Sequence, residues 1–273
     1  MAHLARPDGA VLWHESREPR DGGVTFVFFN ALTGDSTLWR PEITTALERH
    51  GHGWLLFDYR GQTRSPIAAQ VTISCRHLVD DARDVIATEK PRRPVYVGLS
   101  IGGLFAASVH LAGPKAEGLL LINTLRRDGP RLRWLNDALH RCVHVGGLRL
   151  LRDVYLPLLF GEEWLARHRG EFLSPERYAP VSDDASELRL LDAGREAEWE
   201  IAWDGILVPV VLLTGHQDRM FYDAQAVAEL AARMPTAQRI EVPDAGHMLP
   251  VEKPQAVVDA CLALAGRVRE PES

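Results

Sequence analysis

Cysteine is scarce in this chain. Cys75, Cys142 and Cys261 stand alone among 273 residues, with no CxxC pair and no finger-like spacing, which argues against a disulfide framework or a zinc module and for free thiols in a reducing compartment. Long apolar runs are missing too. No stretch approaches the roughly 18 uninterrupted apolar residues of a membrane span. The first residues reach Pro7, Asp8 and Gly9 before any apolar run suited to a signal-peptide core, so a cytoplasmic, non-membrane protein is expected. Excess positive charge is also lacking: 31 Lys and Arg face 37 Asp and Glu, for a formal net charge of -6. Without a broad basic surface, nucleic acid is not an expected partner. Internal repeats and low-complexity tracts are absent. What remains is ordinary, 46% hydrophobic and 25% charged, enough for a full core in one α/β domain carrying an insertion.

Short apolar runs alternate with amphipathic stretches through the first half, the pattern of parallel strands joined by crossover helices. Strands are expected near Ala10–Trp13, Thr25–Phe29, Trp54–Asp58, Val95–Leu99 and Gly118–Ile122. Helices are expected over Thr37–His50, over Cys75–Glu89 capped by Ser74, and from Ser100 to Gly113-Pro114, where glycine and proline stop it. After Asn123 the alternation breaks. Residues 125–204 carry arginines, tryptophans and helical periodicity, and read as an inserted helical cap. The sheet pattern returns at Val210–Leu213, followed by a helix over Ala224–Arg233, a strand near Gln238–Val242 and a last helix after Pro254. Residues 1–124 and 205–273 thus form the expected core, a mostly parallel central sheet flanked by helices.

Ser100 lies in Gly98-Leu99-Ser100-Ile101-Gly102, between the β-rich Val95-Tyr96-Val97 and the helix-like Leu104-Phe105-Ala106-Ala107. That is the setting of a nucleophile elbow, a strand-to-helix turn that lifts a hydroxyl clear of the sheet. A β-carbon at either flanking glycine would strike a neighbouring strand or helix. By chance the pattern arises about 0.1 times in a chain this long, so its partners decide. A serine near its free pKa needs a base, usually an imidazole held by a carboxylate. Asp218, in Thr214-Gly215-His216-Gln217-Asp218, and His247, in Asp244-Ala245-Gly246-His247, supply these downstream. Because the C-terminal ends of parallel strands share one edge, Ser100, Asp218 and His247 are expected to converge. Asp244 is too close to His247 in sequence to orient it easily, and Asp223 reads as a helix cap. An oxyanion also needs amide donors. Ile101, at the positive end of a helix, and Leu32, in Phe29-Asn30-Ala31-Leu32-Thr33-Gly34, are the candidates.

Together with Asp58-Tyr59-Arg60-Gly61, these motifs resemble the α/β-hydrolase superfamily over most of the chain outside the cap. Phe29-Asn30-Ala31-Leu32, Gly98-Leu99-Ser100-Ile101-Gly102-Gly103 and Ile122-Asn123-Thr124 are similar to the 3-oxoadipate enol-lactonase branch. The resemblance implies an α/β-hydrolase fold and a serine hydrolase of small carboxylic esters or lactones, with no metal or organic cofactor. Two departures stand out. Asn30-Ala31 occupies the place of a common His-Gly, and Thr63 that of a second glycine. A serine at position 100 separates the chain from the dehalogenase and epoxide hydrolase branches, which carry aspartate there. Hydrolysis of a carbon–carbon bond in a β-diketone or ring-fission product, and small-molecule binding with little turnover, are alternatives that use the same residues.

Asn30, Arg126 and Arg127 are the candidate substrate-binding residues, the arginines suited to a bidentate carboxylate clamp. Trp134, Trp164, Trp199 and Trp203 either line a pocket or pack the cap against the core. His140 and His144 have the spacing of a zinc pair but lack the glutamate of the metalloprotease motif, so no metal site is expected. Asp58 and Arg60 are assigned to organising the turn after the third strand.

Overall fold

The computed structural model describes residues 1–20, 22–124, 129–173 and 176–268. An eight-stranded sheet runs in the order β1-β2-β4-β3-β5-β6-β7-β8. The strands are β1 (Ala2–Ala5), β2 (Val11–Arg17), β3 (Thr25–Phe29), β4 (Gly53–Phe57), β5 (Pro94–Leu99), β6 (Gly118–Ile122), β7 (Val210–Gly215) and β8 (Ala237–Val242). From β4 to β8 every neighbouring pair is parallel, while β1 and β2 add an antiparallel edge.

Period-two alternation sends successive side chains of each strand to opposite faces. Val27, Phe29, Tyr96, Leu119 and Leu121 pack on one face with α2 (Cys75–Glu89) and α3 (Ile101–Ala112). Phe26, Phe28, Val95, Val97 and Leu120 pack on the other with α1 (Glu42–Arg49) and a C-terminal helix over Pro254–Arg267. The central strands are buried on both faces, which is why they read as unbroken apolar runs.

Between β6 and β7 lies a helical insertion containing α4 (Pro130–Leu159), α5 (Glu162–His168) and α6 (Ser186–Arg195). Helix α4 bends at Gly147, whose φ is 69°. Val143, Leu151, Tyr155 and Leu188 form a small core of their own with Met220. After β7 come α7 (Ala224–Arg233), then β8, α8 (Leu249–Glu252) and α9 (Pro254–Arg267). Among the described residues no helix is long and apolar enough to cross a membrane, and all three cysteines are unpaired.

Two expectations need correction. The strand expected at Ala10–Trp13 is β2, running to Arg17, and it pairs with a strand β1 that the sequence pattern did not reveal. β1 is the edge strand and β2 lies beside it, and both carry exposed polar side chains that blur the apolar signal. The helix expected over Thr37–His50 is a 3₁₀ turn, Ser36–Trp39, followed by α1. Pro41 separates them, since it has no N–H to donate and its ring crowds the preceding turn.

His110 on α3 is buried, and its Nδ1 accepts the Ala116 N–H at 3.1 Å. Burial, aided by the Lys115 charge, pushes its pKa down from 6.5 to about 4. The unfolded chain therefore takes up this proton more readily, so the contribution of His110 is complete above pH 6.5 and is lost as pH falls towards 4. At 1.36 kcal/mol per unit the loss is about 3 kcal/mol. We expect urea unfolding between pH 7 and 4 to show this decline, and His110→Asn, whose side-chain oxygen can accept the same N–H, to flatten it. An unchanged slope in the variant would exclude His110 as its source.

Candidate active site

Strand order reverses between β3 and β5, and the crevice at such a switch point is where open α/β sheets place their sites. Ser100 follows β5 at this point. Its φ of 59° and ψ of −127° form a bend rarely adopted by a side chain bearing a β-carbon. Two close approaches hold it there. A β-carbon on Gly98 would lie 2.4 Å from the Gly103 Cα, and one on Gly102 would lie 2.3 Å from the Phe29 carbonyl oxygen. The Ser100 N–H donates to the Ile122 carbonyl at 2.8 Å, fixing the bend to the end of β6. Ile101 opens α3, so its N–H has no intrahelical acceptor.

Asp218 lies three residues beyond β7. Its Oδ1 accepts the Met220 and Phe221 N–H groups at 3.0 and 2.9 Å, which leaves Oδ2 to His247 Nδ1 at 2.6 Å. Both side chains are buried. The loop carrying His247 is held from two sides. The His247 N–H donates to the Leu159 carbonyl at 2.5 Å, and its own carbonyl accepts from Asn123 Nδ2 at 2.9 Å. Phe221 packs against the imidazole with ring centres 5.2 Å apart.

Ser100 and His247 line one cavity of about 390 Å³, and Leu32 and Ile101 line it with them. Much of its remaining wall is apolar and comes from the insertion, including Leu151, Tyr155, Trp164, Phe172 and Trp199, with Leu38, Met220, Phe221 and Met248 added by the main domain. Of the other tryptophans, Trp203 is buried in the main core and Trp134 is 77% exposed.

Asn30 is not where it was expected. Its side chain is fully buried, donating to the Phe57 carbonyl and Gln62 Oε1 at 2.8 and 3.0 Å and accepting from Trp39 Nε1 at 2.8 Å. Those bonds use its amide inside the core, and Asn30 does not line the cavity that Ser100 and His247 share. Gln62, which the sequence reading passed over, extends the network by donating to the Ala31 carbonyl at 2.8 Å. The loop from Asn30 to Leu32 is thus shaped by two buried amides in place of the common His-Gly. Arg126 and Arg127 lie outside the described residues.

The remaining candidates occupy ordinary positions. Asp223 accepts the Ala226 N–H at 2.9 Å as the cap of α7, and Asp244 pairs with Lys253 at 2.6 Å. Asp58 accepts the Ser36 and Arg64 N–H groups, while Arg60 forks onto the buried Asp81 at 2.5 and 2.7 Å. His140 and His144 face Asp192 and Asp183 at 3.3 and 3.1 Å. Among the described residues no group of three or more His, Cys, Asp or Glu side chains is arranged to hold a metal ion. Asn123 was visible in the sequence only as part of a resemblance. Its bonds reach residues more than 90 positions away, which no local pattern records.

The family model described as "Alpha/beta hydrolase family" matches residues 26–260. RutD of Pseudomonas savastanoi pv. phaseolicola, a protein named for carbamate hydrolysis, is 25% identical over 84% of this chain and 88% of its own length. Among solved structures, the enol-lactonase from Burkholderia xenovorans LB400 superposes with a TM-score of 0.78 at 22% identity, covering 97% of this chain and 100% of that one. A thermophilic esterase from Thermogutta terrifontis gives 0.78 at 20% identity, covering 99% and 100%. At these identities the structural likeness is one of fold.

The geometry of the bend makes a stability prediction. Gly98→Ala forces a β-carbon onto backbone that cannot move aside, and should cost about 2–3 kcal/mol in chemical denaturation, the range of a forced overpacking. Gly266→Ala, on α9 with open space around it, should be neutral or stabilising. Equal stability for the two variants would contradict the close approach.

Proposed function

The chain belongs to the alpha/beta hydrolase family, and from that premise we propose that it is a serine hydrolase cleaving a small carboxylic ester or lactone through an acyl-enzyme. The observation that carries this reading is the 2.6 Å contact between His247 Nδ1 and Asp218 Oδ2 beside a cavity that His247 shares with Ser100. With Nδ1 committed to the carboxylate, Nε2 is the nitrogen left to take the serine proton. Ser100 Oγ attacks the carbonyl carbon as His247 accepts that proton. Asp218 holds the ring and stabilises the imidazolium, and the Leu32 and Ile101 amides receive the oxyanion. His247 then protonates the leaving alcohol, and in the second half-reaction it activates the water that releases the acid.

A volume of about 390 Å³ falls at the small end of the range for ligand pockets. The apolar wall from Leu151 to Trp199 suits an aliphatic or aromatic acyl group, over which the helical insertion acts as a cap. A carbamate presents the same electrophilic carbonyl with nitrogen in place of carbon, and the name of the RutD relative favours including it among the candidate substrates.

A panel of short acyl esters, lactones, carbamates and β-diketones tests the reading. Turnover is expected for an ester or lactone, together with covalent labelling by a serine-directed phosphonate. Ser100→Ala should abolish both, and Asp218→Asn should lower kcat by about 10³- to 10⁴-fold. Undiminished turnover by Ser100→Ala would end the proposal.

A further inference from the structure

We infer that Glu252 is a positioning residue for His247, locking the histidine loop and the C-terminal end of α4 into one unit, so that the imidazole is aligned only when the insertion is seated. The inference rests on the serine-hydrolase reading for its effect on turnover.

Glu252 ends α8 and is 8% exposed. One carboxylate serves three backbone donors. Oε2 accepts the Gly161 N–H at 2.7 Å and the Gly246 N–H at 2.9 Å, and Oε1 accepts the Met248 N–H at 3.0 Å. Gly246 and Met248 flank His247 directly, whereas Gly161 belongs to the insertion between α4 and α5. The His247 N–H itself donates to Leu159, two residues before Gly161. Bonds to a charged acceptor are stronger than neutral ones, and removing the carboxylate would strand two buried donors, Gly161 and Gly246, and a half-buried one, Met248, at once.

The loop carrying Asp218 is tied to the same segment. Glu162 N–H donates to Gln217 Oε1 at 2.8 Å, and Arg219 N–H donates to the Leu158 carbonyl at 2.9 Å. Residues 158–162 therefore bond to His247 and to both sequence neighbours of Asp218, and a β-carbon on Gly246 would lie only 2.1 Å from the Leu159 carbonyl oxygen. Displacing this segment would move the imidazole relative to Ser100, whose own position is fixed by β5, α3 and β6. A misplacement of about 1 Å is enough to cost on the order of 10²-fold in rate.

The experiment compares Glu252→Ala and Glu252→Gln with Leu264→Ala, a core truncation in α9 distant from this junction and matched for loss of melting temperature. We expect kcat on the best ester or lactone to fall by about 10- to 100-fold in Glu252→Ala, with KM nearly unchanged. Glu252→Gln, which keeps one acceptor oxygen, should fall between it and the wild type, and Leu264→Ala should keep its kcat. Amide hydrogen exchange supplies a readout that needs no turnover: Gly161, Gly246 and Met248 should lose protection together in Glu252→Gln. If the wild type cleaves nothing in the panel, the hydrolase reading fails by itself and the exchange result decides the coupling. Loss of kcat no greater than in Leu264→Ala, or faster exchange at Gly246 and Met248 with Gly161 unmoved, overturns the inference.

Discussion

The buried amide of Asn123 is the junction on which the candidate site depends. Its Nδ2 donates to the Gly246 and His247 carbonyls at 3.1 and 2.9 Å, its Oδ1 accepts the Gly215 N–H at 2.9 Å, and its own N–H reaches the Leu213 carbonyl at 3.0 Å. The residue before it accepts the Ser100 N–H. Five backbone groups from three other segments thus meet at the end of β6. Asn123 adopts a φ of 47°, a conformation that asparagine tolerates better than most residues with a β-carbon. An apolar residue there would leave buried donors and acceptors unpaired at the edge where Ser100, Asp218 and His247 must keep register.

The central sheet was legible because its evidence is local. Runs of three or four consecutive apolar residues close to glycine or proline, buried on both faces, identify β3, β5, β6 and β7 without reference to anything distant. The Ser100 turn was legible for the same reason, since the flanking glycines that permit the bend lie within two residues of it. Illegible were features fixed by contacts across the fold. Asn30 sat in a loop that looked open to substrate, yet Trp39, Phe57 and Gln62 close around it. Nothing near Glu252 announced that its carboxylate would gather amides from Gly161 and Gly246, and β1 became a strand only by pairing with β2. Asp218 and His247 fell between these cases, because strand ends mark where they lie while the contact between them forms only in three dimensions.

The two sides of the cavity are held by different means. Ser100, Ile101 and Leu32 rest on the main domain, where glycine-mediated approaches and the Asn30–Gln62 amides leave little freedom. The opposite wall stands on α4 to α6, whose own small core includes Val143, Leu151, Tyr155 and Leu188. Exchanging Tyr155 or Leu151 alters the cavity without touching the bend at Ser100, because both line it from the insertion.

That separation is incomplete, and the exception has a physical cause. Because the His247 N–H ends on a carbonyl of α4, and Asp218 is followed by an amide that also ends there, the insertion helps hold the His247 and Asp218 loops as well as lining the cavity. The hydrogen bonds run through main-chain groups of Leu158 and Leu159, so they constrain where the end of α4 lies without dictating its side chains. These bonds leave the residue types along α4 open, whereas they fix the path of its last turn. A domain joined to the site in this way can change what it admits only by keeping that turn in place.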